Sequence, residues 1–236
     1  MTQTTQAGQP LERTAVLGLI AMGLAVLVIA NDFTALSVAL PAIEAAFGAD
    51  VTTVQWVING YALVFGVLIV SGGRLADMFG RRRIFFVGSA IFALFSLVGG
   101  LAPNIGILLA SRALMGVGGA MMWPAILGMT YGLLPKDRAG LAGGLILGAA
   151  GFGNAVGPLL GGALTDAIGW RWIFYLNLPI AAFAALVTCA WSRTTFRPCP
   201  TGGSTTAASR RYRSACLRSS SPSTRARTAA GSTRGS

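Results

Sequence analysis

The chain has 236 residues, of which 54% are hydrophobic and only 11% charged. A soluble domain usually carries about a quarter charged residues, so a water-soluble two-domain enzyme is excluded at the outset. The net charge of +11 is unevenly placed: ten basic and seven acidic side chains lie up to residue 193, and the other eight arginines fall in residues 194–236, which hold no acid.

Residues 1–10 are polar and lack the basic start of a signal peptide, and the apolar run that follows is too long for a cleaved one. Residues 1–13 are expected to form a cytoplasmic N-terminal segment. Six apolar segments follow, at about 15–42, 54–76, 84–102, 105–134, 139–167 and 172–191. About 20 helical residues cross a hydrocarbon core of about 30 Å, and these runs are too long and too uniformly apolar for barrel strands. The expected fold is an all-α membrane protein, with a six-helix transmembrane domain over 14–193.

The loops set an orientation. With the N-terminus inside, the inner stretches hold Arg13, Arg74, Arg81, Arg82, Arg83, Lys136, Arg138 and Arg193, whereas the outer loops hold Arg171 beside Glu44, Asp50 and Asp166. That asymmetry follows the positive-inside rule and predicts a multi-pass protein of the inner (plasma) membrane with a cytoplasmic N-terminus.

Asp32 lies in the first span, next to Asn31 and Thr34. An acid in the apolar zone costs about 2.5–3.5 kcal/mol on insertion scales. It is read either as a carboxylate responsive to protons or cations, or as a residue near the outer interface within reach of water. Arg112 lies in the fourth span and cannot shed its proton, so it must snorkel, pair or line water. Gly116, Ala120 and Pro124 follow it at four-residue steps, a small and kinkable face that suggests a helix bordering a cavity. A coupling role for Arg112 stands against a purely structural one.

The stretch from Gly72 to Arg83 is read as a loop and a conformational latch, with Gly73, Asp77 and Gly80 as its particular residues and Arg81, Arg82 and Arg83 as inner-side charge. Asp77 is expected to bind backbone N–H groups or one of the arginines. In the fifth span Gly144, Gly148, Gly153, Gly157 and Gly161 form ridges, joined by Pro158 and Gly162. Such a ridge argues for a bent helix pressed along another.

Residues 194–236 are rich in Ser, Thr and Arg and contain no Ile, Val or Met, so they are expected to be a disordered basic tail. The alternatives are an arm near anionic lipid and out-of-frame translation, the second favoured by the abrupt change near residue 193. No folded recognition module accompanies the arginines, so nucleic acid is not an expected partner. The chain has no His, and Cys189, Cys199 and Cys216 lack metal-ligand or CxxC spacing. Neither a metal, nor a cofactor, nor catalysis is expected.

These residues resemble the major facilitator superfamily, and within it the drug:proton antiporters with fourteen transmembrane segments (EmrB/QacA-like). The run NDFTALSVALPAI is similar to the group's first-span signature at Asp32, Thr34, Val38, Ala39, Leu40 and Pro41, with Asn31 and Ser37 departing. GGRLADMFGRRR resembles motif A at Gly73, Leu75, Asp77, Gly80, Arg81 and Arg82, with Met78 departing. LLASRALMGVGGA resembles motif B at Arg112, Gly116 and Gly118, with Met115 where a glutamine is customary. Gly144, Gly153, Gly157, Pro158, Gly161 and Gly162 fall at motif C spacings, and GWRWIFYLNLP is also familiar from the group. The resemblance covers about residues 12–192.

The resemblance implies the N-terminal half of a transporter whose two halves rock about a cavity, exporting a small amphipathic or cationic compound as protons enter. It implies proton coupling for Arg112 with Asp32 as helper, an inner gate for Asp77 and Arg81, and antiport for Gly157 and Pro158. The second half is not in this sequence, so a truncated or frameshifted copy with impaired transport is expected. The alternatives are a half-transporter or channel built with another copy, and a non-transporting partner of a full-length relative. The motif A latch and the motif C ridge are then expected to face helices that are absent.

Overall fold

A computed structural model of the chain describes residues 13–134 and 139–195, and these form six helices in chain order. They are α1 (Arg13–Phe47), α2 (Val51–Phe79), α3 (Arg81–Gly100), α4 (Ile105–Leu133), α5 (Ala139–Ala167) and α6 (Arg171–Thr195). Each is long and apolar enough to cross a bilayer, as the six apolar runs predict. The segment at 1–12, Lys136, Arg138 and the tail from 196 lie outside the described residues, as does the expected boundary at 194–236 in nearly its whole length.

The helices run further than the apolar runs alone indicate. The expected loop from Gly72 to Arg83 is helix except at Gly80, a one-residue turn with φ +95°. Backbone hydrogen bonding continues past the apolar zone, and the helix stops only where glycine takes a left-handed conformation. Gly48 and Gly169 break the chain the same way, at φ +58° and +103°. New helices then start on side-chain caps: Asp50 Oδ2 accepts from the Thr53 N–H at 3.2 Å and Asn104 Oδ1 from the Ile107 N–H at 2.9 Å.

Short turns make consecutive helices antiparallel, and contacts at the two ends agree. At one end Phe47, Trp170 and Arg171 meet: the Arg171 guanidinium lies 4.5 Å from the Trp170 ring centroid and donates to the Ala102 carbonyl at 3.2 Å. This clip joins the end of α1 and the start of α6 to the turn after α3. At the other end Arg81 donates to the Gly128 carbonyl at 2.8 Å, joining α3 to α4.

α1 and α4 are the inner helices, with 61% and 50% of their most apolar stretch buried, against 17% for each of α2 and α5. α1 packs on α5 and α6, while α4 packs on α2 and α3. Glycine sets these distances. A Cβ on Gly118 of α4 would sit 2.7 Å from the Gly88 carbonyl oxygen of α3. Between α3 and α6, the buried Ser96 hydroxyl donates to the Phe174 carbonyl at 2.8 Å.

Two expectations about packing are corrected. The small face of α4, expected to border a cavity, packs on α2: Gly116 lies against the Tyr61 backbone, the Ala120 carbonyl against Gly72 and Pro124 against Gly73. Small residues have drawn α2 onto this face instead of leaving it open. The motif C ridge also finds its partner within the chain, because Gly153, Gly157 and Gly161 are buried on α1 at Leu27–Asn31, Thr34 and Ala35. A Cβ on Gly157 would collide with the Thr34 hydroxyl, and one on Gly161 with the Ala35 carbonyl. Gly162 faces Val38 more loosely, whereas Gly144 and Gly148 have open space.

A buried charge network joining four helices

The two charges singled out in the spans meet each other. Arg112 Nη1 donates to Asp32 Oδ2 at 2.5 Å, with both side chains 0% exposed. The outer-interface reading of Asp32 therefore does not hold: it is a buried carboxylate with a partner. Eighty residues of sequence separate the two, and they come together because α1 and α4 are both central. A buried pair of this kind survives only if its remaining polar atoms are also engaged.

Most of them are. Arg112 Nε donates to the Val57 carbonyl of α2 at 2.9 Å, and its guanidinium carbon lies 4.3 Å from the Tyr61 ring centroid. A cation over an aromatic face is favoured most where water is excluded. Nη1 also lies 3.9 Å from the Met115 sulfur, so the methionine at the customary glutamine position supplies a weak acceptor. On the other carboxylate oxygen, Asn177 of α6 donates its amide N–H to Asp32 Oδ1 at 2.8 Å. Four buried polar atoms have no hydrogen-bond partner among the described residues: Asn31 Oδ1, Tyr61 Oη, Arg112 Nη2 and Asn177 Oδ1.

Asn177 and Tyr61 are absent from the residues that sequence reasoning picked out. Asn177 stood inside GWRWIFYLNLP, a run noted only for its familiarity. Its signal was a fully polar amide in the second turn of an apolar span. Tyr61 also packs edge-on to Phe33 at 4.6 Å, closing the α2 side of the network.

The remaining candidates lie elsewhere. Asp77 Oδ1 accepts from Arg81 Nε and Nη2 at 3.3 Å, so of its two expected roles it takes the arginine. Both are substantially exposed at the α2–α3 turn, and Arg82 rests over Phe86. The turn expected to face an absent helix thus contacts α4 of this same chain, through Arg81 and Gly128. Gly73 touches Pro124, and Gly80 forms the turn itself. Pro158 is carried inside α5 beside Gly157. Among the described residues no group of three His, Cys, Asp or Glu side chains could hold a metal ion.

Residues 22–221 match the Major Facilitator Superfamily. The chain belongs to that superfamily. The matched span begins later and ends later than the expected 12–192, reaching into the Ser/Thr/Arg-rich stretch. Several of its relatives are named as resistance or export proteins. It is 46% identical over 171 residues to the puromycin resistance protein of Streptomyces alboniger, covering 72% of this chain and 34% of that one. It is 37% identical over 169 residues to the tetracenomycin C resistance and export protein of Streptomyces glaucescens, covering 72% and 31%. With the multidrug resistance protein Stp of Mycobacterium tuberculosis it shares 39% over 183 residues, covering 77% and 34%. The chain spans about a third of the length of these relatives. It is a multi-pass membrane protein of a transporter family, and its relatives are transporters, not enzymes.

Proposed function

We propose that this chain is the N-terminal half of a proton-coupled exporter of antibiotic-like small molecules. It would lie in the inner membrane with its N-terminus and the Arg81–Arg83 turn facing the cytoplasm. The observation that carries the reading is the Asp32–Arg112 pair, buried at 0% exposure among apolar helices. A stability role alone accounts for it poorly, since apolar residues of similar volume generally serve as well or better.

The chemistry follows from the two groups. Arg112 keeps its proton, so Asp32 is the member that changes charge. Proton uptake by Asp32 ends the charge attraction and weakens its bond to the guanidinium, which keeps the Val57 carbonyl and the Tyr61 ring. Arg112 then favours an arrangement of α1, α4 and α6 that offers a stronger acceptor. Two arrangements biased by one proton are what coupling requires. The Asp77–Arg81–Gly128 contacts are the inner gate of this scheme. The α5 ridge with Gly157 and Pro158 fixes α5 to α1 so that they move together. The substrate would be a small amphipathic or cationic compound, in keeping with the compounds for which the relatives are named.

A complete transporter needs a second half, and the outward faces of α2 and α5 suit it. Val67 and Val70 on α2 and Leu147 and Leu159 on α5 are each at least 66% exposed. A second copy covering the same faces is the other reading they favour. Transport by the purified chain alone in liposomes would select it.

The test is a chimera in which this chain replaces the matching segment of the puromycin resistance protein. Puromycin export driven by an imposed pH gradient is expected, and Asp32→Asn should abolish it at equal membrane abundance. Undiminished gradient-driven export by that variant refutes the coupling role. Labelling of cysteines placed at Arg82 and Trp172 from either side checks the orientation.

A further inference from the structure

Asp32 is held from two other helices, and the α6 contact differs in kind from the α4 one. Arg112 reaches it from α4 and Asn177 from α6, while Tyr61 of α2 lies against the guanidinium and not the carboxyl; α5 has one ionisable residue, Asp166, in its last turn. Asn177 is 0% exposed, donates through its nitrogen to Oδ1, and leaves its own Oδ1 without a partner among the described residues. An ionised carboxylate only accepts hydrogen bonds, so the nitrogen is the atom that must face it. A protonated carboxyl carries an O–H and needs an acceptor.

A primary amide carries a donor and an acceptor on one carbon, and a half-turn about its last torsion exchanges them. We propose that Asn177 is a positioning residue that holds Asp32 in both protonation states, its amide turning over when the carboxyl takes up a proton. In the ionised state the amide N–H meets Oδ1. After protonation the Asn177 Oδ1 accepts from the new O–H, and the proton remains on Asp32. The carboxyl then keeps its place while Oδ2, now neutral, becomes a weaker acceptor for Arg112, so the tie from α6 to α1 is kept while the tie from α4 loosens. The inference rests on the reading that Asp32 titrates, and it adds the residue that keeps the titrating group in register.

Infrared difference spectroscopy of the full chain in lipid nanodiscs tests this without any transport. The protein carries 13C-labelled asparagine side chains, and the pH is stepped through the Asp32 transition. The Asp32 carboxyl band is assigned by its loss in Asp32→Asn, and the Asn177 amide band by its loss in Asn177→Gln. The expected result is an Asn177 amide band that shifts with the same pH midpoint as the Asp32 band and is silent in Asp32→Asn. In Asn177→Leu the protonated Asp32 C=O stretch should move to higher wavenumber, as for a carboxyl without its hydrogen-bond acceptor, and in Asn177→Gln it should return towards the parent position. An amide band that stays flat while Asp32 titrates overturns the inference and leaves the coupling reading standing. An Asp32 band that never titrates overturns both. The labelled parent chain carries no substitution, so the decisive spectrum does not depend on a variant folding.

Discussion

Stranding one member of the buried pair should cost far more than removing both. At 2.5 Å and an effective dielectric of about 20, the attraction between Asp32 and Arg112 is about 7 kcal/mol. Desolvation of two ions takes several kcal/mol each, so the pair as a whole contributes little net stability. Removing one partner typically costs 3–5 kcal/mol. The two single variants should not be equal, however. Arg112→Met strands a carboxyl that can neutralise itself by binding a proton, and its cost should be about 3 kcal/mol. Asp32→Leu strands a guanidinium that cannot, and its cost should be about 5 kcal/mol. The double variant should return to within about 2 kcal/mol of the parent chain. Equilibrium unfolding of the purified chain in detergent, followed by tryptophan fluorescence, provides the cycle. Additive single costs, or Arg112→Met proving the worse of the two, would refute the account of the pair.

The α5 glycines should behave oppositely according to the face they occupy. Gly161→Leu drives a side chain into the Ala35 carbonyl and should cost about 1–3 kcal/mol or more, while Gly148→Ala, in open space, should gain about 0.5–1 kcal/mol, both read by thermal unfolding. Arg81→Ala should change stability by less than about 1 kcal/mol, because the Asp77 pair is largely solvated, yet spin labels at Met78 and Tyr131 should show a broader distance distribution. Hydrogen bonds from the Thr53 hydroxyl, and then from its backbone N–H, hold the Asp50 carboxyl below the ordinary aspartate range. Its lowered value means that the capping contribution is complete above that ordinary range and is lost as the pH falls through the lowered one. Protection of the amides at the start of α2, taken against the intrinsic exchange rate at each pH, should therefore fall on acidification in the parent chain and lose that dependence in Asp50→Asn.

The six helices were legible because a bilayer demands long apolar runs, and their number and order follow from hydropathy. Their ends were not, since Arg74 and Asp77 read as loop residues although a helix carries charge readily once it leaves the apolar zone. Asp32 and Arg112 were each conspicuous as charges where charge is costly. Their pairing was not legible, because no spacing encodes a contact made 80 residues apart through helix packing. Asn177 escaped notice because a neutral amide raises no such alarm, although its 0% exposure makes it as demanding of partners as an ion. The glycine ridge of α5 was visible as a ridge. Which neighbour it fits was not, since small residues specify closeness and not identity.

The central position of α1 has a consequence for biogenesis. The helix made first must wait for its partners: Arg112 emerges 80 residues after Asp32, and Asn177 emerges 145 residues after it. At about 5–20 residues per second, the carboxyl spends roughly 4–16 s without its counter-ion after leaving the ribosome. During that interval α1 carries an acid that hydrocarbon disfavours. The insertion machinery, or an early protonation of Asp32, must shelter it until α4 arrives and α6 completes the enclosure.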